Sequence, residues 1–194
     1  MTATTRLIVD RTFDSKAEPA SPRLVAREIL RLVRLPEAIF LQDIDYAVTA
    51  GSGVGTFLCP RSKQFPNPNV GELTGGQLID SATQMAYCLT GLMIHGGVRL
   101  LGLDFAGFKT AIHAHRIHAV RTDMAFRRPC RFGRSFAISA KLDRFRNGTF
   151  TVLKHNPLRH FVRIELEGTQ QAGDFEGTPL NIFRARIAAC HQSR

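Results

Sequence analysis

The sequence predicts an α+β fold in which a curved antiparallel sheet wraps one long buried helix. Three observations predict it. Leu73–Ile94 carries a single charge, Asp80, over a helix-length span, so it has no face suited to water. Beyond residue 117 the chain alternates apolar and polar residues in runs of strand length. Strands and helices do not alternate regularly, which argues against a parallel α/β sheet. A lone uncharged helix needs apolar cover on most sides, and a curved sheet supplies it.

Composition sets the outer bounds. The chain has 194 residues, of which 44% are hydrophobic, enough for a real core and too many for wholesale disorder. Phenylalanine carries the aromatic packing, since there are 14 Phe and no Trp. The net charge of +10 favours an acidic partner without specifying the fold. Nucleic acid is not expected, because no RNP motif, recognition helix or zinc site is present and the Phe residues follow core periodicity. Cys59, Cys88, Cys130 and Cys190 form no CxxC pair, so neither a zinc knuckle nor a disulfide scaffold is expected. There is no secretory h-region and no apolar run of bilayer-spanning length. The expectation is a soluble, cytoplasmic protein with reduced thiols and no membrane partner.

The elements follow in order. Residues 1–20 mix charge with Ala, Pro and Ser and read as a flexible arm, leaving 21–194 as one domain. Ser21-Pro22 opens a helix, with Leu24, Val25, Glu28, Ile29, Leu32 and Val33 at helical spacing. Arg27, Arg31 and Arg34 decorate its other side, read as a solvated basic face, and Pro36 ends it. Asp43–Thr49 alternates as a strand, Gly51-Ser52-Gly53 turns, and Val54–Leu58 returns. A Pro- and Asn-rich loop leads to the long helix. There Leu78, Ala82, Met85, Leu89 and Leu92 form one stripe, and Gln77, Asp80, Ser81, Gln84 and Cys88 a second. His95-Gly96-Gly97 is a stop signal. After a linker come strands at 118–126, 136–142, 150–153 and 161–166, with a hairpin turn at Asn147-Gly148. On the first of these, His118, Val120, Thr122, Met124 and Phe126 are expected on one face. This is the hotdog arrangement, the helix as filling and the sheet as bun.

The residues then carry a resemblance. Gly75–Gln84, GGQLIDSATQ, resembles the PGVLxxEAxAQ core of hotdog acyl-carrier dehydratases and thioesterases. Met124–Pro129, MAFRRP, resembles the F-R-x-P close of a central strand in the same group. Thr83-Gln84-Met85-Ala86-Tyr87 together with FRRP is similar to the FcoT-like family, over residues 40–185. That resemblance implies an enzyme acting on acyl thioesters of coenzyme A or an acyl carrier protein. It is either a long-chain acyl thioesterase or a β-aminating enzyme of natural-product biosynthesis that adds glycine to a trans-2-enoyl thioester by Michael addition. It also implies a homodimer or higher oligomer, with active sites between subunits. One departure stands out: Gln64-Phe65-Pro66 replaces the H-F-P motif of hotdog dehydratases, and Gln cannot shuttle a proton near pH 7. Ordinary dehydration is therefore not expected.

On this basis Asp80 is the candidate base, because a lone carboxylate on an uncharged helix needs a reason to persist. Its competing reading is a carboxylate paired with an arginine. The amides of Gly75, Gly76 and Gln77 are candidates for holding the thioester oxygen. Gln64, Gln77, Thr83 and Gln84 are candidate substrate contacts. Thr122 and His118 are further catalytic candidates. Lys63, Arg127 and Arg128, with Arg61, Arg131 and Arg134 nearby, are candidates for phosphopantetheine or carrier contacts. His113, His115 and His118 read as a polar connector more than as ligands, so no metal and no cofactor are expected. Glycine addition is the leading expectation and plain hydrolysis the alternative. A non-catalytic binding module is the outcome if Asp80 is paired off and no tunnel reaches it.

Overall fold

In the computed structural model, Thr5–Arg6 forms a short strand β1 and Pro22–Arg31 the first helix, α1. Strands β2 (Leu41–Ala47) and β3 (Ser52–Phe57) form a hairpin. Helix α2 (Gly75–His95) is the long helix, and α3 (Phe105–His113) follows it. The remaining strands are β4 (Ile117–Phe126), β5 (Phe136–Leu142), β6 (Phe145–Arg146), β7 (Thr149–Val152), β8 (Arg159–Gln170) and β9 (Leu180–Gln192). The structure describes residues 5–6, 21–59, 72–131, 133–143, 145–146, 149–152, 159–171 and 179–192. Six strands make one antiparallel sheet in the order β2-β3-β5-β8-β9-β4, and β1-β7-β6 make a small second sheet. Helix α2 lies on one face of the large sheet, which is the hotdog arrangement.

Helix α2 starts where its capping chemistry says it should. Thr74 accepts from the Gln77 amide while the Gln77 side chain accepts from the Thr74 amide, a reciprocal capping box. The expected stripe Leu78, Ala82, Met85, Leu89 and Leu92 is fully buried against the sheet. Strand β3 makes room for it: a Cβ on Gly55 would stand 2.9 Å from the Met85 sulfur. At Gly91 the same device works on the other side. A Cβ there would come within 2.3 Å of Ile29 on α1 and 2.7 Å of Phe108 on α3, so both helices close over a bare backbone. The inward residues of β5 (Phe136, Ile138, Ala140, Leu142) and β8 (Val162, Ile164, Leu166) complete the core as expected.

Four features depart from expectation. The linker after α2 contains α3, capped by Asp104 on the Gly107 amide at 2.7 Å. The long strand β9 lies beyond the expected strands. Its alternation of Phe183, Ala185 and Ile187 with Arg184 and Arg186 carries the period-two signal. Strand β4 carries a bulge: pairing with β9 slips between Ala119 and Arg121, leaving Val120 as the extra residue. The slip reverses the alternation, so Thr122 pairs with buried Ile187 on the helix face while His118 pairs with Cys190 on the opposite face. The expected shared face of His118 and Thr122 is therefore corrected. Finally, α2 is not covered all round. Gly76 and Ile79 are exposed, and Gln77, Asp80, Thr83 and Tyr87 are half-buried. The hairpin expected at Asn147-Gly148 forms, with β6 and β7 paired antiparallel as Phe145–Phe150 and Arg146–Thr149; its two turn residues lie outside the described residues.

Candidate functional site

Asp80 is the centre of the polar chemistry on α2. Arg34, just past the end of α1, donates to its Oδ1 from Nε at 3.0 Å and from Nη2 at 2.5 Å. Gln84, one turn along α2, donates from Nε2 to its Oδ2 at 3.0 Å. The Gln84 amide is itself pinned: Nε2 also donates to the Ala38 carbonyl at 2.8 Å, and Oε1 accepts from the Phe40 amide at 3.0 Å. Arg34 is fixed in turn by Nη1, which donates to the Val33 carbonyl at 2.9 Å. Both carboxylate oxygens are thus held by charged and neutral donors, and the group stands at the solvent margin. The side chains of Arg34 and Asp80 are 31% and 27% exposed. The carboxylate's isolation along the helix is filled in space by a cation 46 residues away, the pairing named above as the competing reading.

Gly76, Asp80, Thr83 and Tyr87 succeed one another at spacings of four, three and four residues, so they share the open face of α2. The amides of Gly75 and Gly76 open this face, and first-turn amides have no acceptor within the helix. The Gln77 amide is different, because Thr74 caps it. Phe126, at the end of β4, sets its ring against Gly75, with 3.3 Å to the position a Cβ would take. The segment after Phe126 borders the same helix end. The Leu73 amide donates to the Cys130 carbonyl at 2.6 Å, and Arg127, Arg128 and Arg131 are exposed around it. Thr83 spends its hydroxyl on the Ile79 carbonyl at 2.9 Å. Tyr87 donates to the Ile117 carbonyl at 3.4 Å; burial pushes its hydroxyl pKa up, and the Arg34 charge offsets part of that.

Beside the middle turns of α2 lies an apolar cavity of about 20 Å³, lined by Ala86, Tyr87, Phe108, Ile117, Ile187 and Ala189. That is room for about one water, not for an acyl chain. The larger concavity, about 1130 Å³, is an open trough on the helix-free face of the sheet. Two of its ion pairs run across strands, Arg186 with Glu165 at 3.1 Å and Arg184 with Glu167 at 3.3 Å, and it lies across the sheet from Asp80.

Of the expected site residues, the structure brings together Asp80 and Gln84 directly, and sets Gly75, Gly76 and Thr83 on the same helix end. Thr122 faces the helix side of β4 but is exposed there, and His118 is exposed on the other face. Gln64 and Lys63 lie outside the described residues. Among the described residues, no three His, Cys, Asp or Glu side chains gather as a metal site. No helix among them is long and apolar enough to cross a membrane. The thiols of Cys59 and Cys130 are buried, which pushes their pKa values up to about 11 and about 12, and burial raises that of Cys88 further. Such thiols are poor nucleophiles at neutral pH. Sequence reasoning missed Arg34 as a site residue, because the only signal it carries is membership of a basic helix face.

No protein-family model matches the chain, and no curated protein matches it by sequence. Among solved structures it is similar to the Escherichia coli PaaI protein from the phenylacetic acid degradation operon. The identity is 15%, covering 89% of this chain and 94% of that one, with a TM-score of 0.48. Zebrafish thioesterase superfamily member 2 is 16% identical over 87% of this chain and 96% of its own, with a TM-score of 0.47. A hypothetical thioesterase from Streptococcus pneumoniae TIGR4, solved with coenzyme A, is 12% identical over 78% and 89%, with a TM-score of 0.43. The fold assignment rests on the strand order and the helix position, and these likenesses add nothing about activity.

Proposed function

We propose that the chain is an acyl-thioester hydrolase. The observation that carries this reading is a carboxylate, Asp80, oriented by Arg34 and Gln84 about one helical turn from the first-turn amides of Gly75 and Gly76, which find no acceptor among the described residues. In the proposed reaction a water attacks the thioester carbonyl and gives its proton to Asp80. The first-turn amides hold the oxyanion, the carbon–sulfur bond breaks, and the departing thiolate takes the proton back. The exposed Arg127 and Arg128 suit the phosphates of a coenzyme A or phosphopantetheine arm. The resemblance of Gly75–Gln84 to the core of acyl-thioester enzymes supports the substrate class.

Glycine addition is the second reading, and it needs a cation free to hold the amino-acid carboxylate. Arg34 is the cation nearest the candidate base, and all three of its guanidinium nitrogens are engaged by Asp80 and Val33. Hydrolysis is therefore preferred. In a single chain Asp80 is paired with Arg34 and the cavity beside α2 is too small for an acyl chain, the two conditions set above for a non-catalytic binding module. The hydrolase reading therefore requires the uncovered face of α2 to be completed by a second copy, with β4, an edge strand, at the junction. The test is to incubate the protein with acyl-coenzyme A and 2-enoyl-coenzyme A thioesters, with and without glycine, and follow products by mass spectrometry. Free acid independent of glycine is expected. A glycine-dependent mass gain would move the assignment to addition, and no product from any thioester would remove the enzyme reading.

A further inference from the structure

We infer that the solvent face of α1 is a docking surface for an acidic protein that presents the acyl group on a flexible arm; the inference rests on the thioester reading above. Helix α1 buries Val25, Ala26, Ile29 and Leu30 in the core. Its outer side sets exposed Arg23 and Arg31, with half-buried Arg27 between them, at four-residue intervals beside Leu24, which is 63% exposed. Among the described residues no carboxylate pairs with these three arginines. The helix's one acid, Glu28, is taken by Lys109 of α3 at 2.8 Å. Three guanidinium groups without a carboxylate partner among the described residues, beside one apolar knob, match an acidic surface with a shallow apolar recess, where charge steers the encounter and the leucine anchors it.

Position adds the second argument. Arg34 follows α1 directly and grips Asp80, so patch and candidate site belong to one element. From Leu24 to Arg34 is about 15 Å along a helical path, a span an extended prosthetic arm covers. A membrane surface fits less well, since the apolar side of α1 faces the core and cannot insert. Nucleic acid fits less well too, since the patch is short and has no aromatic residue to stack a base.

The test uses the full chain and an acyl carrier protein with its phosphopantetheine arm, unacylated for binding and acylated for turnover. In the variant R23E/R27E/R31E, binding of the labelled carrier, read by fluorescence anisotropy, should weaken at least about ten-fold. Hydrolysis of the acylated carrier should fall in step, while hydrolysis of the same acyl group on coenzyme A stays within about two-fold. Lysine at the three positions should keep most of the binding, and Leu24→Ala alone should weaken it, which covers the case where the triple reversal does not fold. Equal binding by wild type and reversal variant overturns the inference. So does binding of duplex DNA or anionic vesicles, but not the carrier, through the same arginines. Carrier binding that depends on the patch without any hydrolysis keeps the docking surface and removes the hydrolase reading. Hydrolysis of acyl-coenzyme A without carrier binding does the reverse.

Discussion

The two flanks of α2 are built on opposite plans. Toward α1 the helix is closed by its own chain: Gln84 ties Asp80 to Ala38 and Phe40, and Arg34 seals the edge. Toward β4 it is left open, with Gly76 and Ile79 exposed and a strand edge carrying exposed Val120 and Phe126 beside it. The closed flank fixes a carboxylate to a definite geometry, which catalysis needs before substrate arrives. The open flank leaves apolar surface and unpaired strand backbone, which a second surface can cover. One helix thus carries a finished half-site and an unfinished one.

The largest expected effect breaks the closed flank at its centre. Asp80→Asn keeps the shape and the Gln84 contact, and should lower thioester hydrolysis by about a hundred-fold or more, measured as thiol release. Circular dichroism should stay unchanged; undiminished turnover would remove Asp80 as the base. Gln84→Leu comes next. It removes a buried side chain from the half-buried Phe40 amide and Ala38 carbonyl and should cost about 1–2 kcal/mol by denaturant unfolding. Arg34→Gln leaves the helix packing alone and should cost about 1 kcal/mol or less in stability, because the pair is partly solvated. Its turnover should still fall by about ten-fold, since the carboxylate loses its orientation. That split between stability and rate is what separates a positioning role from a structural one.

The open flank should answer differently. Val120→Asp touches an exposed bulge residue and should change unfolding free energy by about 0.5 kcal/mol or less. Sedimentation should nevertheless show it shifting the protein toward monomer if a second copy covers this edge. An unchanged oligomer would place any partner elsewhere. A further effect, confined to alkaline pH, is a drift in the stability of the core. Cys59 and Cys130 keep their protons in the folded chain up to about 11 and about 12, against 9.0 for an ordinary thiol. Their contribution is therefore whole below pH 9 and declines as pH rises through the folded values, because the unfolded chain ionises first. The same burial should leave both thiols unalkylated by iodoacetamide at pH 8 until denaturant is added.

The parts of this comparison were unequally readable. The sequence marks α2 through its missing charges and places its ends within two residues, and Phe136–Leu142 reads correctly because a sheet with one buried face repeats every second residue. Helix α3 was hidden by Gly107 and by His113 at its end with His115 just beyond, which resemble linker composition. That an arginine pairs with Asp80 was one of the two readings the sequence allowed, but which arginine it is left no trace, because spatial neighbours 46 residues apart obey no local period. The exposure of Ile79 escaped notice for a related reason: hydropathy reports what a side chain prefers, not whether anything covers it.

The extra residue at Val120 acts like a half-turn in a ribbon. Everything on one side of it shows its reverse to the helix, though no side chain has changed. Losing that residue would flip one end of β4 relative to the other, exchanging which of His118 and its neighbours look inward. Chain length at this point is therefore a coarse selector of the chemistry presented along the rim of the fold, and it works independently of amino-acid identity.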